Sequence, residues 1–232
     1  MANQYTLTEQ QKTMDLYLNA CVNLYGHVTP RQFLKLYNRF NATKIRKDDL
    51  MKCGMKLMRQ TENYCIYSNA IINTKEPERK IGEIAYYQEG KKYYDPTQEE
   101  LLKYADPNYY PISEYTEALR VFFVEDMRVT PVIAKKLVRD IEWYIRIENP
   151  LQGLGQWLLQ RGIEIKTIEQ AARLFERIQE LNNHCRKWAN CGHTPEELFT
   201  GPRNVVISEL PMESEERPTK SRKINRERHL LN

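Results

Sequence analysis

Apolar residues recur along most of this chain at the 3.6-residue period of a helix, and in one short stretch they give way to a run that favours strands. Thr8 and Gln11 have the spacing of a capping box. Met14, Leu16, Leu18, Val22 and Leu24 follow, so a first helix is predicted to end near Gly26. Thr29-Pro30 starts a second: threonine caps free N–H groups, and proline at the first helical position has none to leave unpaired. Its apolar face is Phe33, Leu34, Tyr37 and Phe40, and Asn41 closes it. A third helix is predicted over about Arg46–Gln60, with Asp48 and Asp49 in the first turn, where acid suits the helix dipole. Leu50, Cys53 and Leu57 share its apolar face, and Gly54 interrupts it at a cost of about 1 kcal/mol relative to alanine. Tyr64–Tyr67 and Ala70–Ile72 then flank Ser68-Asn69, the pattern of a short hairpin. Three helices followed by a hairpin is the order of a winged helix-turn-helix, with the hairpin as the wing.

Beyond the hairpin, Gly82 and Gly90 bound a short element at Glu83–Gln88, read first as helix and second as strand, and Thr97 caps a helix that runs to about Tyr104. Asp106-Pro107-Asn108 and Tyr110-Pro111 break the chain. The second half reads as helical. Ser113 opens a helix with Tyr115, Leu119, Phe122 and Phe123. Thr130-Pro131 opens one with Ile133, Leu137, Ile141, Tyr144 and Ile145 on one face, stopping before Asn149-Pro150. A shorter helix is predicted over Leu151–Arg161, stopped by Gly162. Thr167 caps a long one from Ile168 to about Ala189, with Ala171, Leu174, Phe175, Ile178 and Leu181 on its buried side. The predicted fold class is therefore mostly α with a small β-hairpin (α+β). A winged-helix-like domain is expected over 1–105, a helical domain over 106–200, and a largely disordered basic tail over 201–232. Within the tail, Asn204–Leu210 is briefly apolar, and Glu213–Asn232 is charged and lacks aromatics.

Charge adds a direction to this picture. The net +4 is uneven: residues 1–74 carry ten Lys/Arg against five Asp/Glu, and 217–232 carry six against one, so the middle is acidic. Basic ends point weakly to a polyanion. In the tail the run Lys220-Ser221-Arg222-Lys223 reads first as a solvated segment and second as a nucleic-acid contact. Five cysteines without a signal-peptide pattern in MANQYTLTEQQ are expected to be reduced thiols of a cytoplasmic protein. No apolar run reaches the length of a membrane span, so no membrane partner is expected. Eight of the fifteen tyrosines fall between Tyr86 and Tyr115. Packing of a linker is the first reading of that cluster, and a base-stacking surface the second.

Candidate chemistry sits in two places. On the third helix Lys52, Lys56 and Arg59 lie three and four residues apart, about opposite Leu50, Cys53 and Leu57, with Lys47 at the helix start. Core behind and cations in front is what a helix facing phosphates or base edges requires; a solvated lysine face is the alternative. Near residue 190, His184, Cys185, Cys191 and His193 lie within ten residues. Their spacing does not match the paired ligands of a zinc site, so no metal is expected. Asn190-Cys191-Gly192 instead reads as a helix end and Thr194-Pro195-Glu196-Glu197 as a capped restart, with Trp188 and Leu198 packing across the corner.

The run NNHCRKWANCGHTPEELF resembles a C-terminal signature of uncharacterised bacterial proteins common in Firmicutes, N-x-x-R-x-W-x-N-x-G-H-T-P-x-E-L. Asn182 or Asn183, Arg186, Trp188, Asn190, Gly192, His193, Thr194, Pro195 and Leu198 carry the likeness. Leu24-Tyr25-Gly26, Leu36-Tyr37-Asn38 and Tyr93-Tyr94-Asp95-Pro96 extend it over roughly residues 10–200. The resemblance implies a bacterial source and no established activity. No phosphate-binding glycine loop, G-x-G-x-x-G, H-E-x-x-H or G-x-S-x-G occurs, so the chain is expected not to be an enzyme and to need no cofactor. The leading expectation is a nucleic-acid-binding protein with duplex DNA as partner. The alternative is a protein-interaction adaptor on the same fold, and an enzyme without a recognisable motif comes third.

Overall fold

The computed structural model describes residues 7–147 and 153–199. Its elements, in chain order, are α1 (Glu9–Tyr25), β1 (His27–Val28), α2 (Pro30–Phe40), α3 (Lys47–Leu57), β2 (Tyr64–Ile66), β3 (Ile71–Asn73), α4 (Glu78–Gln88), α5 (Gln98–Lys103), α6 (Glu114–Glu125), α7 (Pro131–Ile147), α8 (Leu154–Gln160), α9 (Ile168–His184), a 3-10 turn at Trp188–Asn190, and α10 (Pro195–Leu198). The fold is α+β and dominated by helices, with one small three-stranded antiparallel sheet.

Several boundaries follow the predicted caps. Thr8, Thr29, Thr97, Ser113, Thr167 and Thr194 each accept a backbone N–H three residues on, and each opens the helix expected of it. Others differ. A strand that the sequence reading lacks, β1, pairs His27 with Ile72 and Val28 with Ile71, so β3 lies between β1 and β2. The two hairpin strands are offset from the predicted runs and joined through Tyr67–Ala70. The third helix stops at Leu57, leaving Arg59 in the turn that follows. The fourth starts five residues before its predicted start, passing through Gly82 without interruption. The eighth is shorter than predicted, and the ninth ends at His184 rather than near Ala189.

Two hydrophobic cores form. In the first, Tyr17, Leu18, Cys21, Leu24 and Tyr25 of α1 pack with Phe33, Leu36 and Tyr37 of α2, Leu50 and Leu57 of α3, the sheet, Leu101 of α5 and Tyr104 just after it. Gly54 is the contact point of α3 with the sheet: a Cβ there would collide with Ile66. In the second, α6, α7 and α9 bring together Leu119, Phe123, Leu137, Ile141, Leu174 and Ile178. Ile133 and Phe175, predicted on buried faces, are about half exposed, because helical periodicity runs past the edge of the neighbouring helix. A third cluster, holding Ile72, Ile81, Ile84, Ile147 and Trp188, lies where the two halves meet. The compact unit ends at Phe199, and the predicted tail, including Asn204–Leu210 and Lys220–Arg228, lies outside the described residues.

Candidate functional site

Helix α3 is held by its apolar side. Leu50, Gly54 and Leu57, spaced four and three apart, are buried, and the Asp49 carboxylate accepts the Arg46 N–H at 2.9 Å at the helix start. Lys47, Lys52, Lys56 and Arg59 are all exposed. None of the four makes an ion pair with another described residue, whereas Lys35 and Arg39 of α2 both pair with Asp95. The predicted cations do not form one continuous row. Lys52 and Lys56 border a shallow cleft of about 250 Å³ with Asp49 and Cys53, reaching the start of α1 at Thr8 and Gln11. Lys47 belongs to a second hollow with Arg31 of α2 and Ser68-Asn69 of the hairpin turn. Arg31 was not singled out in the sequence; its only signal is its place in the first turn after Thr29-Pro30. The same surface also carries Asp48 and the side chain of Met55, which is 59% exposed.

The corner near residue 190 is the opposite kind of place. Trp188 is fully buried. Its indole N–H donates to the Asn23 carbonyl at 3.0 Å, its ring meets Trp143 edge to face at 5.4 Å, and a Cβ on Gly26 would collide with it. Gly26 also has φ +69, which L side chains rarely adopt. The amide of Gln88 donates to the carbonyls of Tyr25 and Trp188, both at 2.7 Å. Gly192, at φ +82, leaves room for the Tyr25 ring, since a Cβ there would come within 2.8 Å of it. The Arg186 guanidinium lies 3.4 Å from the centre of the Tyr94 ring and pairs with Glu100 and Glu197, each at 3.1 Å. Tyr94 donates its hydroxyl to Glu100 and its N–H to the Cys191 carbonyl. Burial, reinforced by that carboxylate, pushes the Tyr94 phenol up to about 12. The three runs Leu24–Gly26, Tyr93–Pro96 and Arg186–Pro195 thus meet in one assembly. Leu198, expected to pack across the corner, is 43% exposed instead, because Trp188 turns toward Gly26 and Trp143.

Beneath the corner lies a buried polar network. Arg146 and Glu142 form an ion pair at 2.6 Å with side chains 1% and 4% exposed. Arg146 also donates to the Asn23 carbonyl, and Asn23 donates to the Tyr104 carbonyl. Burial works most strongly against the Arg146 charge, but its surroundings, the Glu142 carboxylate foremost, together outweigh it and hold the guanidinium protonated. The four residues weighed as metal ligands are engaged elsewhere. His184 stacks on Tyr115 at 3.8 Å, and the Cys185 thiol faces Glu142. The Cys191 thiol faces the Gln88 carbonyl, and His193 sits on Tyr94 beside Glu197. Burial raises both thiols, Cys191 to about 11 and Cys185 well above its ordinary value. Among the described residues no group of three or more His, Cys, Asp or Glu is placed to hold a metal ion.

Six of the eight clustered tyrosines, Tyr93, Tyr94, Tyr104, Tyr109, Tyr110 and Tyr115, are buried or half-buried, and Tyr86 and Tyr87 are exposed. None of the described helices is long and apolar enough to cross a membrane. No family model, curated protein or solved structure matches this chain.

Proposed function

We propose that residues 8–73 are a winged-helix-like module that binds duplex nucleic acid, with α3 as the helix presented to the groove. The element order α1-β1-α2-α3-β2-β3, with β3 between β1 and β2, suits that reading. The observation that carries it is charge left without a partner. Residues 24–73 hold nine Lys/Arg against three Asp/Glu. Of the nine, Lys47, Lys52, Lys56, Arg59 and Arg31 are exposed with no ion-pair partner among the described residues. Cations without partners are available to phosphates, whose contacts supply most non-specific affinity. Lys52 and Lys56 are assigned phosphate contacts from α3 and Arg59 from the turn that follows it, and Lys47 with Arg31 flanks them toward the hairpin turn.

A second reading has its own support. Met55 and Asp48 share the exposed face, and an apolar side chain beside a carboxylate suits a protein partner better than a phosphate backbone. The two readings part on salt dependence. Binding to a duplex should weaken as salt rises, and Lys52→Gln, Lys56→Gln and Arg59→Gln together should flatten the log–log slope by about 2.7, at about 0.9 per phosphate contact. The chain is ended at about Glu213 in both proteins, so that the six tail cations, Arg217, Lys220, Arg222, Lys223, Arg226 and Arg228, do not supply the signal. Salt-independent binding, or an unchanged slope in the triple variant, would favour the protein-partner reading.

A further inference from the structure

Far along the chain from α3, a cleft of about 440 Å³ opens between the segment after β3, the Pro107–Tyr109 link, and helices α7 and α8. Its walls combine two kinds of group. Trp143, Trp157 and Tyr109 contribute ring surface, and Lys75, Arg139 and Arg161 contribute positive charge. The cations are held against the rings: Lys75 Nζ is 5.2 Å from the centre of Trp143, and Arg161 Cζ is 3.5 Å from that of Trp157. A guanidinium lying on a ring keeps its edge N–H donors free for an anion.

The acidic groups of the cleft are already engaged. Glu142 is taken by Arg146 at 2.6 Å, Asp140 by Arg139 at 3.1 Å, and Glu76 has an interaction of its own. Neither Lys75 nor Arg161 makes an ion pair with a described residue; beyond the tryptophan rings, Lys75 donates to the Pro107 carbonyl at 3.5 Å and Arg161 to the Trp157 carbonyl at 3.4 Å. Burial first, and the neighbouring Arg146 charge second, lower the Lys75 ammonium against the opposing Asp106 carboxylate, and a bound anion would favour its charged form. A cationic ligand is disfavoured because each acidic group of the cleft is engaged while Lys75 and Arg161 have no ion pair with a described residue.

We propose that this cleft binds a mononucleotide, with the base against Tyr109 and the tryptophan ring surface that Lys75 and Arg161 leave uncovered, and the phosphate at Lys75 and Arg161, beside the Arg139–Asp140 pair. The volume lies within the range of small-ligand sites, and rings with a few convergent polar groups are their usual lining. A sugar phosphate would leave the rings unused, and a neutral base would leave the cations unused, so the pairing of the two chemistries selects a ligand that has both. The site is independent of the duplex-binding reading of α3.

The test is titration of the full chain with AMP, GMP, CMP and UMP, followed by tryptophan fluorescence and calorimetry. Two of the three tryptophans line the cleft, and the third, Trp188, is buried beside one of them. At least one nucleotide should quench saturably and bind about tenfold or more tighter than its nucleoside or inorganic phosphate, a margin of one decade in Kd. Lys75→Gln and Arg161→Gln, both at exposed positions and so compatible with folding, should each weaken it by about tenfold on the same scale. Trp157→Phe should keep binding and lose part of the quench. The proposal is overturned if no nucleotide gives a signal at millimolar concentration. Phosphate alone binding as tightly as the nucleotide would reduce the cleft to a simple anion site and equally overturn it, as would unchanged binding in the Lys75→Gln, Arg161→Gln double variant.

Discussion

The outer face of α3 and the corner around Trp188 are both crowded with residues that carry chemistry, and they use them in opposite ways. At the corner Arg186, Trp188, Gly192, His193 and Glu197 are engaged by Gly26, Tyr25, Tyr94, Gln88 and Glu100. Little hydrogen-bonding or charge capacity is left over, so the corner fastens residues 186–197 to the end of α1 and to the segment around Tyr94. On α3 the reverse holds: the apolar side fixes the helix, and Lys47, Lys52 and Lys56, with Arg59 in the turn that follows, are exposed without ion-pair partners among the described residues. A dense motif can be entirely structural, and an undistinguished run of lysines can be the surface left over for a ligand. What separates them is whether neighbouring groups already satisfy the side chains.

The sharpest way to break this contrast is Trp188→Ala. The ring is fully buried and its N–H is bonded, so truncation should cost about 3–5 kcal/mol in urea or thermal unfolding. A loss below about 0.5 kcal/mol, the range of an ordinary surface change, would show that the corner is not a fastening point and would reopen it as a binding surface. Next in size is Arg186→Ala. Charge-assisted bonds are worth about 1.5–3 kcal/mol when buried, and the Arg186 side chain is 15% exposed with partners more exposed still, so about 1–2 kcal/mol is expected. Arg186→Lys should recover only part of it, because lysine cannot both lie on Tyr94 and reach two carboxylates. Full recovery by lysine would mean that charge alone matters there.

The caps and the helical face of α3 were legible in the sequence because they depend on neighbours three to four residues away. Thr8, Thr29, Thr97, Ser113, Thr167 and Thr194 all do what their local spacing implies. The misses have distant causes. β1 is two residues long and exists only because Ile71 and Ile72 pair with it. α4 begins after Pro77 with no side-chain cap, so no capping signal marked its start. α9 leaves the helix at Cys185 with neither glycine nor proline there; the next turn is held by Trp188 bonding to Asn23, 165 residues earlier. Leu198 and Phe175 stay exposed because a period says which residues share a face, not how far the neighbour covers it. Arg31 and the tryptophan-lined cleft escaped for the same reason: each depends on segments brought together by the fold.

The smallest expected effect bears most directly on α3. Lys52→Gln, Lys56→Gln and Arg59→Gln combined should change stability by no more than about 0.5 kcal/mol per site, since each side chain is exposed and has no ion pair with a described residue to lose. Arg39→Gln is the matched control on α2. It breaks a contact at 2.7 Å with Asp95, but at 39% and 51% exposure such a pair is worth at most about 1 kcal/mol after solvent screening. Glutamine keeps much of the aliphatic stem and forms helix nearly as well as lysine, so neither change carries a large propensity term. If the α3 triple variant instead loses several kcal/mol, those cations hold the fold through contacts such as the cleft toward Thr8 and Gln11, and a structural role would replace the ligand-facing one. If it loses nothing while Arg39→Gln loses a little, the cations of α3 are the ones without a structural task, which is the condition a binding surface has to meet.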